Sequence, residues 1–288
     1  MYNDKFLGEL LDNCKEEYSY FVSFQDRVLA AVTVTHKILL KHNINYYAIY
    51  GTLLGIYRDH GQIPWDYDFD ILISIDDAPT VQRILEDELP DDYYIISNYN
   101  NNSFPYYQMR IVPKGFDHRV HLDIYYYFGI PEDNDVFIKM KKTVISLYYN
   151  RIRRVTAPYK TKSVKKNMYY RYLWVRNRIK YPFQSVKRMD KKFTKITHSN
   201  PIREAKRVSV FCETCDEIDK LDLGMPQIMT CDNREICVPS NTERILSQCY
   251  NNYNEYPSLE ERIAVFRHGL EQMKDIEKRK ANNETKNK

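Results

Sequence analysis

No run of apolar residues in this 288-residue chain is long enough to cross a bilayer, so a transmembrane helix is not expected. The opening stretch, MYNDKFLGELLDNCKEE, has acids where a secretory signal carries positive charge, and it lacks an apolar core. Charge of one sign is not in large excess, and a net +4 is too small by itself to imply nucleic acid. Cysteine is sparse: Cys14, Cys212, Cys215, Cys231, Cys237 and Cys249 are the full set. Without a secretory signal these are expected to be reduced. Four of them read C-x2-C, a gap, then C-x5-C. The second spacing is too wide for a zinc site and no histidine lies between the pairs. Unpaired, partly buried thiols are therefore the expectation, with structural zinc on Cys212, Cys215, Cys231 and Cys237 left open.

What is present is concentrated between Tyr46 and Ile75, YYAIYGTLLGIYRDHGQIPWDYDFDILISI. This is an apolar run, a Gly-Thr turn, a helix-like patch, a Pro-Trp turn, and aspartates at every second position leading into a β-branched strand. Residues two apart in a strand share a face, so Asp66, Asp68 and Asp70 are expected to point the same way. Carboxylates packed on one face repel, and a cation removes that cost. Oxygen ligands of this kind suit Mg²⁺ or Mn²⁺. The bland alternative is an acidic turn in water. The continuation into Ile71, Leu72 and Ile73 argues against it.

The parts and their spacing resemble the core signature of the LicD/fukutin family. Gly51, Thr52, Leu53, Leu54, Gly55 and Arg58 match its G-T-L-L-G-x-x-R, and Ile63, Pro64, Trp65, Asp66, Asp68 and Asp70 match its I-P-W-D-x-D-x-D. Bacterial members often carry a fourth acid where Tyr67 stands, and the D-Y-D form is nearer the fukutin-related branch. The resemblance implies an α/β nucleotidyltransferase-type fold: a mixed, largely antiparallel sheet flanked by helices. It also implies a metal-dependent transferase that moves ribitol phosphate, glycerol phosphate or phosphocholine from a CDP-activated donor to a glycan hydroxyl. Golgi members have an N-terminal anchor that this chain does not show. A cytoplasmic location is therefore expected, or the Golgi lumen if an anchor is missing from this chain.

Residues 21–42 read as an amphipathic helix with Val28, Val32, Ile38 and Leu39 on one face, preceded by a short helix within residues 1–20. His36 and His42 are expected to be structural or solvated. After the strand Tyr46 to Tyr50, Gly51 and Thr52 offer a close backbone approach and a hydroxyl for phosphate, with Arg58 in reach. A helix is expected over residues 79–89, then strands over 93–97 and 106–112, the second carrying Arg110. A charge there needs a partner, and a phosphate is one. In the next strand, RVHLDIYYYF, Asp123 sits between Leu122 and Ile124, and an acid buried this way needs a metal or a cation. The resemblance makes it the third carboxylate, serving a metal or taking the proton of the attacking hydroxyl. His121 and His118 lie close by, where packing or surface roles are expected.

From Arg151 to Lys195 the chain is strongly basic, with Asp190 its one acid, and aromatic residues are threaded through it. Three readings stay open: a helical insert packed by its apolar face, a surface for an anionic acceptor or donor, or a contact with nucleic acid or anionic membrane. The resemblance favours the first two and makes nucleic acid an unlikely partner. Beyond it, Ser240 and Glu243 are spaced for a capping box. Val238, Pro239, Leu246, Tyr250, Tyr253, Tyr256 and Pro257 resemble the C-terminal element of the family, with Asn251 in place of its usual glycine. The expected organisation is a catalytic core over 1–150, a basic insert over 151–200, and a C-terminal part of the same domain over 201–275. A charged tail, expected to be disordered, follows over 276–288.

In mechanism, Asp68 and Asp70 are expected to hold the metal, with Asp123 as third ligand or base. Gly51, Thr52, Arg58 and Arg110 are expected on phosphate, Asp66 to orient ligands or acceptor, and Trp65 to wall the site. Two rivals remain: a nucleotidyltransferase that modifies a protein, RNA or small molecule, and a non-catalytic nucleic-acid binder.

Overall fold

The computed structural model describes residues 4–116, 120–158, 161, 163–180, 185–212, 215–250 and 252–286. Its first element, α1, is a single helix, Asp4–Lys41, where two had been expected. No proline interrupts the first forty residues, so nothing breaks the backbone ladder. From Phe21 onward α1 buries Phe21, Phe24, Val28, Leu29, Val32, Ile38 and Leu39 in the core.

A curled mixed sheet carries the rest. It is built from β1 (Tyr46–Ala48), β2 (Phe69–Ser74), β3 (Tyr93–Ser97), β4 (Met109–Pro113), β5 (Leu122–Ile130), β6 (Arg207–Phe211) and β7 (Cys215–Asp219). Strands β1, β2, β5, β4 and β3 follow one another across it. One edge of β5 lies parallel to β2. On its other edge the first residues pair antiparallel with β4 and the last five pair antiparallel with β6. That division explains why β5 is longest and why it is apolar apart from Asp123: both of its edges are paired. Only β2 and β5 run parallel, so the sheet is largely antiparallel, as the resemblance implied.

Between β1 and β2 lies α2 (Tyr50–Leu54), which runs into a π-helical turn, Gly55–Asp59, ended by His60 in the left-handed region. Helix α3 (Ala78–Glu88) links β2 to β3. The basic stretch forms α4 (Asn134–Val155), α5 (Val164–Lys180) and α6 (Val186–Thr197). Met189 and Phe193 of α6 are buried, and Phe193 stacks on Tyr107 at 3.8 Å. Arg151 of α4 is fully buried. Its guanidinium donates to the Phe104 carbonyl at 3.0 and 3.2 Å and pairs with Asp190, so the lone acid of the basic stretch neutralises a buried cation. Lys160, Lys162, Tyr159, Tyr181, Phe183 and His118 lie outside the described residues.

After β7 come α7 (Lys220–Leu223), the hairpin β8 (Gln227–Cys231) and β9 (Arg234–Val238), then α8 (Thr242–Cys249) and α9 (Leu259–Lys286). The capping box expected at α8 does not form. The Ser240 hydroxyl turns to the carbonyls of Leu221 and Asp222, and Glu243 accepts from the Tyr57 hydroxyl. Helix α9 lays Phe266 on Phe21 of α1, with ring centroids 4.7 Å apart, and runs on to Lys286, through the segment expected to be a disordered tail. Asn251 lies outside the described residues.

Candidate active site

The site forms where β2 and β5 run side by side. In their parallel register Asp70 stands beside Asp123, and in the next pairing Asp123 stands beside Arg110 of β4. One row across the sheet therefore carries two carboxylates and a guanidinium. Asp66 and Asp68 precede β2 rather than lying in it, in the turn that Pro64 and Trp65 open. They still meet Asp70, because side chains outside the motif hold that turn. The Gln25 amide of α1 donates to the carbonyls of Ile63 at 3.2 Å and Asp66 at 2.6 Å. The Gln62 amide donates to the Asp68 carbonyl at 3.2 Å.

Gly51 and Thr52 serve the same turn. A Cβ on Gly51 would lie 2.7 Å from Asp66 Oδ2, so the absence of a side chain is what lets this carboxylate approach. The Thr52 hydroxyl accepts the Asp70 backbone N–H at 2.8 Å and fixes the start of β2. Tyr50, just before, sits at φ 52° and donates to Asp216 Oδ2 at 2.7 Å, tying this turn to β7.

The carboxylates are not alike. Asp66 and Asp68 are close enough to hydrogen-bond to each other. Burial first, and the neighbouring carboxylates second, push Asp68 and Asp70 well above the usual range, and burial raises Asp66 as well. Asp70 Oδ1 is buried with no hydrogen-bond partner. A buried acceptor left this way costs about 1–3 kcal/mol. Burial would also raise Asp123, but Arg110 and His121 outweigh it and hold this group well below its ordinary value. Asp123 accepts from Arg110 Nε at 2.8 Å and from the Gln108 amide, and meets His121 Nε2 at 2.9 Å. His121 Nδ1 is buried without a partner.

Aromatic side chains surround this centre. The Tyr125 hydroxyl is raised by burial and by Asp123, Asp70 and Asp68. Tyr250 is raised by burial, Cys249, Asp66 and Asp70. Tyr67 is covered by α9, where Gln272 reaches its hydroxyl at 3.4 Å. A cleft of about 330 Å³ opens beside Tyr50 and Tyr250, lined also by Lys141, Asp216 and Gln248.

Arg58 and Trp65, expected on phosphate and as a wall of the site, are both engaged by neighbouring side chains and carbonyls. Arg58 is held by both oxygens of Asp59 at 2.8 and 3.0 Å, by the carbonyls of Tyr253 and Glu255, and by the Tyr256 ring at 4.0 Å. Trp65 is buried between Tyr256 and Arg262. The arginine that follows the Gly-Thr turn thus grips Tyr253 and Tyr256 of the C-terminal element. Gln25, Gln62, Gln108 and His121 belong to the site although the motif does not mark them. Only His121, two residues before Asp123 in a strand, had a spacing that pointed there. His42, where no acid was expected, pairs with Glu88 at 2.6 Å.

The described residues contain no group of three or more His, Cys, Asp or Glu set to hold a metal ion as they stand, since Asp123 is engaged by Arg110 and His121. The fit is nevertheless favourable at Asp68 and Asp70. The donors there are oxygens, burial and neighbouring carboxylates penalise their ionised forms, and Asp70 Oδ1 lacks a partner. Among the candidate zinc ligands, Cys231 and Cys237 are free thiols, and Cys212 Sγ lies 3.3 Å from the Tyr50 hydroxyl and 3.8 Å from Asp216 Oδ2. The Cys215 side chain lies outside the described residues.

The family described as LicD/FKTN/FKRP, nucleotidyltransferase domain, matches residues 43–187, half of the chain. This chain belongs to the LicD/fukutin family. The matched span contains the turn, all four aspartates and Arg110, and it makes the protein transferase-like. Two uncharacterized proteins, from Rickettsia prowazekii (strain Madrid E) and Rickettsia typhi (strain ATCC VR-144 / Wilmington), are each 49% identical to it over 51 residues. Those matches cover 18% of this chain and 19% and 16% of the two relatives, so the family membership rests on the domain match.

Proposed function

We propose that this protein transfers a phospho-alcohol, such as ribitol phosphate, glycerol phosphate or phosphocholine, from a CDP-activated donor to a glycan hydroxyl in a metal-dependent reaction. The observation that carries the reading is the buried, partnerless Asp70 Oδ1, set in register with Asp123 and beside the mutually hydrogen-bonded Asp66 and Asp68. A cluster of this kind stays uncomfortable until a cation enters it.

Asp68 and Asp70 would hold Mg²⁺ or Mn²⁺. A divalent ion bound there would neutralise the diphosphate of the donor as the CMP leaving group departs. Thr52 keeps the Asp70 backbone in place, and Gly51 gives room for Asp66 to steady the cluster or the acceptor. Asp123 is the third carboxylate, and it also holds Arg110 and His121 at the site. Arg110 is the cation we assign to donor phosphate, because it lies on the row of the aspartates. Arg58 is assigned to support of the turn instead.

Calorimetric titration with CDP-ribitol, CDP-glycerol and CDP-choline, with and without Mg²⁺, tests the reading. One donor should bind only with the ion, and Asp68→Ala should abolish that binding while remaining folded. Failure of all three donors to bind a folded protein would overturn it.

A further inference from the structure

Helix α5 is built inside out. Its domain-facing side is polar: Trp174 Nε1 donates to the Thr156 carbonyl at 2.9 Å, and the buried Asn177 amide donates to Asn150 Oδ1 at 2.6 Å. Arg178 stacks on Trp174 at 3.5 Å and donates to the carbonyls of Arg153 and Arg154, at the C-terminal end of α4. The outer side is apolar. Val164, Met168, Tyr172, Val175 and Ile179 follow one another at steps of four, four, three and four, which places them on one face. They are 41–73% exposed. A surface helix in water normally shows the opposite arrangement. By contrast α6, in the same basic stretch, buries Met189 and Phe193 in the usual way.

What flanks the stripe indicates what would cover it. Lys165, Lys166, Arg171 and Arg176 are exposed around it, and Val164–Lys180 contains no Asp or Glu. An apolar strip with a tyrosine in it, bordered by cations and free of acids, matches a membrane interface: acyl chains accept the strip and anionic headgroups accept the cations. No described helix is long and apolar enough to cross a membrane, so the contact would lie in the interface plane. We infer that α5 docks this protein peripherally on an anionic lipid surface through Val164, Met168, Tyr172, Val175 and Ile179. Nucleic acid would use the cations but would leave the apolar strip without a partner.

Flotation of the full chain with phosphatidylcholine vesicles, with and without a third of phosphatidylglycerol, tests this. The chain should float with the anionic vesicles, and added salt should weaken binding without abolishing it. Arg171→Gln with Arg176→Gln should weaken it about thirtyfold, as expected for two interfacial cations. Met168→Ser with Ile179→Ser should weaken it by at least about tenfold at unchanged charge. Both pairs are solvent-exposed, and unchanged thermal melting would show that the fold is intact. The inference is overturned by no flotation at low salt, or by apolar variants that float like the parent. It is also overturned if the parent prefers a duplex RNA whose binding ignores the Met168 and Ile179 changes.

Discussion

Asp70 and Asp123 are neighbours with opposite electrostatic histories, and pH separates them. The raised carboxylates, Asp66, Asp68 and Asp70, favour the folded state while protonated. Their contribution is complete below the unfolded carboxylate range and is lost as pH rises through their higher folded values. Asp123 is depressed, so its contribution is present above that range and is lost only in stronger acid. Raising the pH from 5 to 8 in EDTA should therefore lower the melting temperature, and the gain on adding Mg²⁺ should grow over the same interval. A Mg²⁺ gain independent of pH would contradict this account. Asp70→Asn should cost at least about a thousandfold in turnover while leaving the metal-free melting temperature equal or higher, because it removes one like charge from a buried cluster. A variant that turns over normally would remove Asp70 from the chemistry. The identity of these residues was legible because a D-x-D-x-D run entering Ile-Leu-Ile has few structural uses. The work of Arg58 was not, since its partners, Tyr253, Glu255 and Tyr256, are far away in sequence and a guanidinium suits a carbonyl as well as a phosphate.

Elements rather than single groups decide where the aspartates point. The turn from Ile63 to Asp68 has little structure of its own, and Gln25, Gln62 and Thr52 hold it from three directions. Thr52→Val removes the acceptor of a backbone N–H and should destabilise by about 1–3 kcal/mol, whereas Thr52→Ser should be nearly silent. Denaturant midpoints would show this, and equal midpoints for Val and Ser would refute it. Breaking the Arg58–Asp59 pair by Arg58→Ala should cost about 3–5 kcal/mol, because the buried Asp59 would lose its cation partner. A loss of activity at full stability would return Arg58 to the substrate. Residue patterns foretold α3, β3 and β4, and the family resemblance implied the mixed sheet. The helix α8 was foreseen but its capping box was not realised, because Ser240 and Glu243, spaced for one, find other partners in α7 and Tyr57.

At the level of the molecule, the family-matched span is not a self-sufficient unit. Residues 43–187 contain β1 to β5 but lack β6, which pairs with the second half of β5, and lack α1 and α9, which cover Trp65 and Tyr67 or hold their turn. That fragment should aggregate or show no cooperative melting by circular dichroism, whereas the full chain melts cooperatively. A soluble fragment with a sharp transition would contradict this.

The embrace of α1 and α9, with Phe21 against Phe266 and Lys274 paired to Glu17 at 3.0 Å, also has a meaning in time. On the ribosome the aspartate turn emerges nearly two hundred residues before the helix that shelters Tyr67 and Trp65. A nascent chain thus carries its acidic cluster half-built until α9 has emerged, and the candidate site is completed in that one step. Enzyme activity should appear only after α9 has emerged, and a stall before residue 259 should yield none.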